Sequence, residues 1–385
     1  MKPNYIRLTC SILTFFLLAG CAAIYPTPPP PDYWPTDEWR HDDPSNRNID
    51  AALLDAATEQ IPDELPALDS LIIIRDGYVV HESYYNGYDK TTIHDVRSVT
   101  KSWTSALIGV AQANGKLTQI DAPLSELLPD QFANEQHEDK RDITLADLLA
   151  MRSGIEFYDE KLYAGEYGAY EELFEIDLTD FALSFPMAYE PGTAWNYSTL
   201  DSQLISAVFK QATGQALEAY AVDHLFEPLG ITDHAWQADS TGTSIGGGGL
   251  SLTPRDMAKL GFLYLHQGEW DGEQIVPSDW VELSLTPQDT EAIYVPSGQT
   301  ELPEWYGYHW WTWKGDWFYG YRAFVANGFG GQRIYVLPGL NLIIVTTANL
   351  DDVSPEMANM QEEGIDTFIN EIVLPTLTEV DINER

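Results

Sequence analysis

An α+β fold is predicted, with one antiparallel sheet drawn from both ends of the chain and a mainly helical insertion between them. Three observations predict it. β-rich runs occupy residues 71–85 and 317–349, helical periodicities and loops dominate about 98–284, and a helical segment flanks each strand group, at 50–60 and about 355–373. Strand clusters at the two chain ends can share one sheet, and a cleft should lie between that sheet and the helical part.

The first strand pair is the most explicit element. LIIIRDGYVVHESYY (71–85) is an apolar run, an Asp76-Gly77 turn and a second β-rich run, a strong hairpin pattern. At the other end, WFYGYRAFVANG (317–328), QRIYVLP (332–338) and LNLIIVTTAN (340–349) give three more runs separated by Gly and Pro. No internal repeat is present. We read the folded body as residues 50–385, with a sheet part at about 50–97 and 285–385 and a helical part at about 98–284.

Ahead of the body, residues 1–20 join a basic start (Lys2, Arg7) to an apolar run too short to span a bilayer, which is the pattern of a signal peptide. Leu18-Ala19-Gly20-Cys21 resembles the bacterial lipoprotein box. The resemblance implies lipidation of Cys21, a membrane contact through that anchor and, with Ala22 next, an exported lipoprotein of the outer membrane facing the periplasm. The other reading is an ordinary secretory signal with an incidental cysteine. Residues 21–49, with prolines at 28–31, read as an extended tether. Cys10 falls in the signal, so the mature chain has no cysteine pair and must be stabilised by packing.

Sixty acids against twenty bases give a net charge of −40. Such a surface repels phosphate backbones, so nucleic acid is excluded as a partner. A solvated acidic surface explains the charge without any acidic binding site. Oligomeric state is not encoded legibly.

RSVTKSWTSALIGVAQANG (97–115) reads as a helix with one charged side chain after Arg97, the amine of Lys101. One face carries Trp103, Ala106, Leu107, Val110 and Ala111; the other carries Ser98, Lys101, Ser102, Ser105, Ile108 and Gly109. Neither face suits water, so the helix should be covered all round. A lysine buried there loses pKa by desolvation, and Ser98 stands three residues earlier on the same face. A helix N-terminus also favours an anion forming beside the serine. Ser98-Val99-Thr100-Lys101 is therefore an S-x-x-K nucleophile and base pattern. Its bland reading is a first-turn serine and a snorkelling lysine.

Downstream, Tyr197 precedes a helix opened by Ser198 and Asp201 in capping-box spacing and closed by Gly214. Its hydroxyl could share a proton with Lys101; the alternative is a packing aromatic. Asn327-Gly328-Phe329-Gly330-Gly331-Gln332 leads into a strand, where the N–H of Gln332 could join that of Ser98 in an oxyanion hole; the alternative is a plain bulge.

Together these stretches resemble the β-lactamase-like serine hydrolases, in the branch of class C β-lactamases, D-aminopeptidases, esterases and 6-aminohexanoate-dimer hydrolases. ITLADLLAMRSGI (143–155), PGTAWNYS (191–198) and GGGGLSLTPRDMAKLGFLYLHQGEWDGEQIVPSDW (246–280) look like recurring segments of that branch. The resemblance implies a β-lactamase/transpeptidase-like fold and acyl-enzyme chemistry without a cofactor. It implies Ser98 as nucleophile, Lys101 as its proton acceptor and Tyr197 as second general acid and base. The substrate contacts implied are Thr199, Phe329, Gly330 and Gly331.

Two departures from the pattern shape the substrate expectation. Tyr197-Ser198-Thr199 stands where β-lactamases show Tyr-x-Asn, and Phe329-Gly330-Gly331 where they show Lys-Thr-Gly, which removes the cation that would hold a carboxylate. Arg333 and Arg322 are the candidates to replace it. The expectation is an esterase or amidase of small, neutral or weakly polar acyl substrates; a β-lactamase or D-amino-acid peptidase is the alternative, and a non-catalytic peptidoglycan-binding lipoprotein the second. Two segments should shape the pocket: 155–177, rich in Tyr and acids, lying across the cleft, and 304–324, dense in aromatics.

Rival chemistry has little support in the sequence. Gly242-Thr243-Ser244-Ile245-Gly246 matches the G-x-S-x-G elbow but lacks the flanking strand and helix, so it reads as a loop. There is no HExxH and no metal-ligand spacing among the histidines, and no G-x-G-x-x-G.

Overall fold

The computed structural model describes residues 25–378, apart from 118, 134–135, 169, 289–292, 295–305, 314–315 and 350–352. The signal segment, Cys21 and Trp305 lie outside the described residues.

Six strands form the main sheet: β1 (Leu68–Arg75), β2 (Tyr78–Tyr84), β3 (Trp311–Trp313), β4 (Ala323–Gly328), β5 (Gln332–Leu337) and β6 (Leu342–Ala348). Their order is β3-β4-β5-β6-β1-β2, antiparallel throughout, so the two chain ends meet where β1 pairs with β6. Asp76 and Gly77 both take positive φ, 51° and 81°, the conformation that a two-residue hairpin loop needs to follow strand twist. Every residue of β1, β5 and β6 is buried, which explains why these strands read as continuous apolar runs rather than alternating ones.

Alternation nevertheless sorts the two sheet faces. Ile72, Ile74, Ile343 and Val345 face the large core shared with the helical part; Leu71, Ile73, Leu342 and Ile344 face a smaller core against the terminal helices α1 (Ala51–Thr58) and, later in the chain, Pro355–Phe368. The helical part supplies α2 (Val99–Ala113), α3 (Leu145–Leu149), α4 (Asp159–Tyr163), α5 (Thr199–Thr213) and α6 (Pro254–Leu265), and the C-terminal helix becomes α7. α6 lies against the sheet at Gly261, where a Cβ would come within 2.9 Å of Ile334. Only glycine lets helix and sheet approach this closely.

The tether expected over 21–49 needs correction for its described portion. From Tyr25 onward the segment is a strap bound to the body. Tyr25 and Trp39 are 5% and 2% exposed; Tyr25 meets Phe324 edge-on at 5.3 Å, and Trp39 Nε1 donates to the Arg255 carbonyl at 3.0 Å. Trp270 Nε1 donates to Thr36 Oγ1 at 2.8 Å. The aromatic residues between the prolines bury large apolar areas, and that gain outweighs the extended preference of the proline run.

Candidate active site

A short strand, His94–Asp95, feeds the start of α2 through Arg97, a non-glycine residue held at φ 50°. Its N–H donates to Asp95 Oδ1 at 2.8 Å, which fixes the turn. Backbone held in this costly region at a strand-to-helix turn is a feature that clusters at functional sites. The turn sets Ser98 at the N-cap of α2, yet its hydroxyl caps nothing. It faces Lys101 instead.

α2 is buried on all sides from Val99 to Ala111, as its sequence predicted. Lys101 is 2% exposed, and its Nζ stands 3.0 Å from Ser98 Oγ, 2.9 Å from the Gly247 carbonyl oxygen and 3.2 Å from Thr199 Oγ1. Burial pulls the amine from the ordinary lysine value down to about 8, against the opposing pull of the Asp159 and Asp201 carboxylates. Desolvation wins.

Tyr197 sits just ahead of α5, whose N-cap Ser198 accepts from Asp201 N–H and whose C-cap Gly214 has φ 78°, as predicted. The Lys101 amine lies over its ring, 4.8 Å from the centroid, and Trp311 stacks on the ring at 5.9 Å. Burial raises the phenol well above the usual tyrosine range, as does the nearby Asp159 charge; a hydrogen bond with Ser98 works the other way. The structure thus brings Ser98, Lys101 and Tyr197 together, with the phenol kept protonated.

Other predicted residues are placed differently. Thr199 turns inward: its hydroxyl lies 2.5 Å from Asp159 Oδ2 and 3.2 Å from the Lys101 amine, so it is a partner of the lysine rather than a substrate contact. Gly330 and Gly331, at φ 79° and 103°, fold the hairpin onto α7. There Gly330 N–H donates to Glu362, and a Cβ on Gly331 would meet Ile365 at 2.4 Å. Gln332 is fully buried with its side chain bonded to the Ala348 backbone in both directions. The hairpin reaches the Ser98 turn earlier, at Gly328, where a Cβ would lie 2.5 Å from the Val96 carbonyl oxygen. Gly330 and Gly331 are therefore engaged by α7 rather than turned to a substrate, and the hairpin borders the Ser98 turn at Gly328. Phe329 itself stacks on Tyr163 at 4.6 Å, so the segment 155–177 does meet the far wall of the cleft.

Neither arginine stands in for the cation missing from Phe329-Gly330-Gly331. Arg333 is 2% exposed and its guanidinium is taken by Glu362 at 2.8 Å and Asp366 at 3.6 Å on α7. Arg322 is exposed, on the Tyr25 side of β4. Ser244 lies in a buried loop, its hydroxyl accepting from Glu218 N–H at 3.3 Å, with neither strand before it nor helix after it.

Sequence reading missed three buried groups. Asp159 accepts from both the N–H and the hydroxyl of Thr199. Asp201 accepts from Ser153 Oγ at 2.7 Å, and burial raises its carboxyl to about 7. His309 reaches the Lys101 carbonyl with Nδ1 at 3.1 Å, and burial lowers it to about 3, so it stays neutral. A carboxylate beside an N-cap is common, so only the missing Asn at position 199 could have drawn attention to Asp159.

The family model described as Beta-lactamase matches residues 67–365. The 6-aminohexanoate-dimer hydrolase of Paenarthrobacter ureafaciens is 23% identical over 350 residues, covering 86% of each chain. Esterase EstB of Burkholderia gladioli is 30% identical over 216 residues, 50% of this chain and 54% of its own. Among solved structures, a penicillin-binding protein from Bacillus halodurans superposes with a TM-score of 0.61 at 18% identity, covering 80% of this chain and 99% of its own. With the family match spanning most of its length, the chain belongs to the beta-lactamase family and is a serine hydrolase.

Proposed function

We propose that the protein cleaves ester or amide bonds of small, neutral or weakly polar acyl substrates through an acyl-enzyme on Ser98. The observation that carries this reading is the 3.0 Å contact between Ser98 Oγ and a buried lysine amine lowered to about 8. In its neutral form the amine takes the Ser98 proton as Oγ attacks the acyl carbonyl carbon. The oxyanion is met by the N–H of Ser98 at the start of α2 and by that of Gln332 at the start of β5. The leaving alkoxide or amine takes a proton from Tyr197, and the phenol is restored from the lysine. Water then attacks the ester in the reverse sense and frees the acid. A hairpin without a cation at 329–331 supports neutral substrates over those that carry a carboxylate.

Labelling with a fluorophosphonate tests the assignment. Trypsin should release the adduct on the tetrapeptide SVTK, residues 98–101. No adduct on Ser98, together with no turnover of short-chain esters, would favour the binding role; nitrocefin turnover rivalling ester hydrolysis would favour a β-lactamase.

We also propose that the enzyme is an exported lipoprotein anchored through Cys21, a reading supported by the residues 18–21 alone. Palmitate supplied to expressing cells should enter the wild-type chain and not Cys21→Ala. Equal incorporation, or none in either, refutes the anchor.

A further inference from the structure

Among the described residues, three oxygens lie within hydrogen-bond reach of the Lys101 amine, and two of them can act in only one direction. The Gly247 carbonyl, 2.9 Å away, only accepts. Thr199 Oγ1, 3.2 Å away, could do either as a bare hydroxyl. It is not bare. Asp159 accepts Thr199 N–H on Oδ1 at 2.8 Å and meets the hydroxyl on Oδ2 at 2.5 Å, with all of these groups buried. Burial raises the Asp159 carboxyl, while the Lys101 charge and the two Thr199 bonds hold it down. In its ionised form it cannot donate, so the Thr199 proton points to Asp159 and its lone pairs point to the lysine.

A neutral amine has two N–H bonds and one lone pair. With both N–H bonds committed to Gly247 and Thr199, the lone pair faces the remaining neighbour, Ser98 Oγ at 3.0 Å. We infer that Asp159, acting through the Thr199 hydroxyl, is a positioning residue that directs the lone pair of Lys101 at the Ser98 proton. The inference deepens the proposed mechanism and rests on its reading of Lys101 as the proton acceptor. It also accounts for the altered second motif. The asparagine of Tyr-x-Asn carries an oxygen that accepts by its own chemistry, whereas a threonine in that place needs a fixed acceptor behind it, and α4 supplies one.

The test uses the whole enzyme and a neutral short-chain ester. Charged and titratable groups around Lys101 are Asp159 on α4, Tyr197 and Asp201 at the start of α5, and the neutral His309 ahead of β3. At pH 9, Thr199→Val should lower kcat roughly tenfold to a hundredfold, part of the 10²–10⁴ that a positioned base supplies. Thr199→Ser should stay within about threefold of wild type, because the hydroxyl is kept. Asp159→Asn should lose as much as Thr199→Val, and the double variant should lose no more than either single one. Asp159→Asn should also move the acid limb of kcat/KM to lower pH, since a charge that favours the protonated amine is gone; Thr199→Val should not.

Val and Ser nearly match Thr in size, so failure to fold does not confound that pair, and thermal unfolding checks each variant. Wild-type kcat in Thr199→Val, an equal loss in Thr199→Ser, or multiplying losses in the double variant would overturn the inference while leaving the Ser98 mechanism intact. Undiminished turnover by Ser98→Ala would overturn both.

Discussion

Ester turnover by the wild-type enzyme is expected to climb about tenfold per pH unit through the neutral range and level off near pH 8, and Lys101→Arg is expected to abolish that dependence along with most of the activity. The sign follows from which form of the lysine works. Only the neutral amine accepts a proton, and its pKa is lowered to about 8, so the working fraction is small below that pH and complete above it. An arginine keeps the positive charge but cannot deprotonate, so it separates a base from a mere cation. We expect Lys101→Arg to lose roughly 10²–10⁴ in kcat/KM. Ser98→Ala should lose on the order of 10⁴ or more, because it removes the atom that forms the acyl bond. The pH profile of kcat/KM and single-turnover rates check both. A limb centred near pH 5, or a Lys101→Arg enzyme with more than a tenth of wild-type activity, would contradict the assignment.

Gly246→Ala is expected to unfold or severely destabilise the protein. A Cβ there would sit 1.9 Å from the Ser202 carbonyl oxygen of α5 and 3.0 Å from Ser206 Cβ. The first contact is with helix backbone, which cannot rotate aside, so the loop itself must move by more than an ångström. That loop is bonded in place on both sides: Gly246 N–H donates to Gln203 Oε1 at 3.0 Å, and its carbonyl accepts from Thr104 at 2.8 Å. Strain of this kind exceeds ordinary overpacking, and a loss of about 3 kcal/mol or more is expected. Any protein that folds should also show weakened catalysis, because the adjacent Gly247 carbonyl is one of the acceptors on Lys101. Chemical denaturation measures the first effect and kcat the second. A stable variant with wild-type kcat would mean that the loop has slack the packing does not suggest.

The chemistry of the candidate site was legible wherever it was written within one or two turns of chain. Ser98 and Lys101 share a helix face because three residues make nearly one turn, and the absence of any other charged side chain along the helix announced burial before any tertiary contact was known. The Asp76-Gly77 hairpin, the Ser198 cap and the Gly214 stop are likewise local, since each depends on backbone conformation that a few side chains set by themselves.

Other features depended on distance along the chain. Asp159 and Thr199 are forty residues apart, and Lys101 and Gly247 one hundred and forty-six, so no local pattern joins them. Arg333 looked available to a substrate because a sequence does not say that α7 will cover it with two carboxylates. The hairpin at 328–332 looked like a single glycine-rich lip, but each side chain or missing side chain on it serves a different neighbour. Gly328 touches the Ser98 turn, Phe329 the Tyr163 ring and Gly331 the terminal helix.

By itself, then, the sequence determined the antiparallel sheet joined at the chain ends, the helix that buries a serine and a lysine on one face, and the family. Tertiary structure alone decided that residues 25–49 strap the body, that position 199 serves the lysine, and which backbone borders the serine. The reason is physical: hydrogen bonds and periodicity act over a few residues, whereas the partner of a buried polar group is chosen by whichever element packing brings against it.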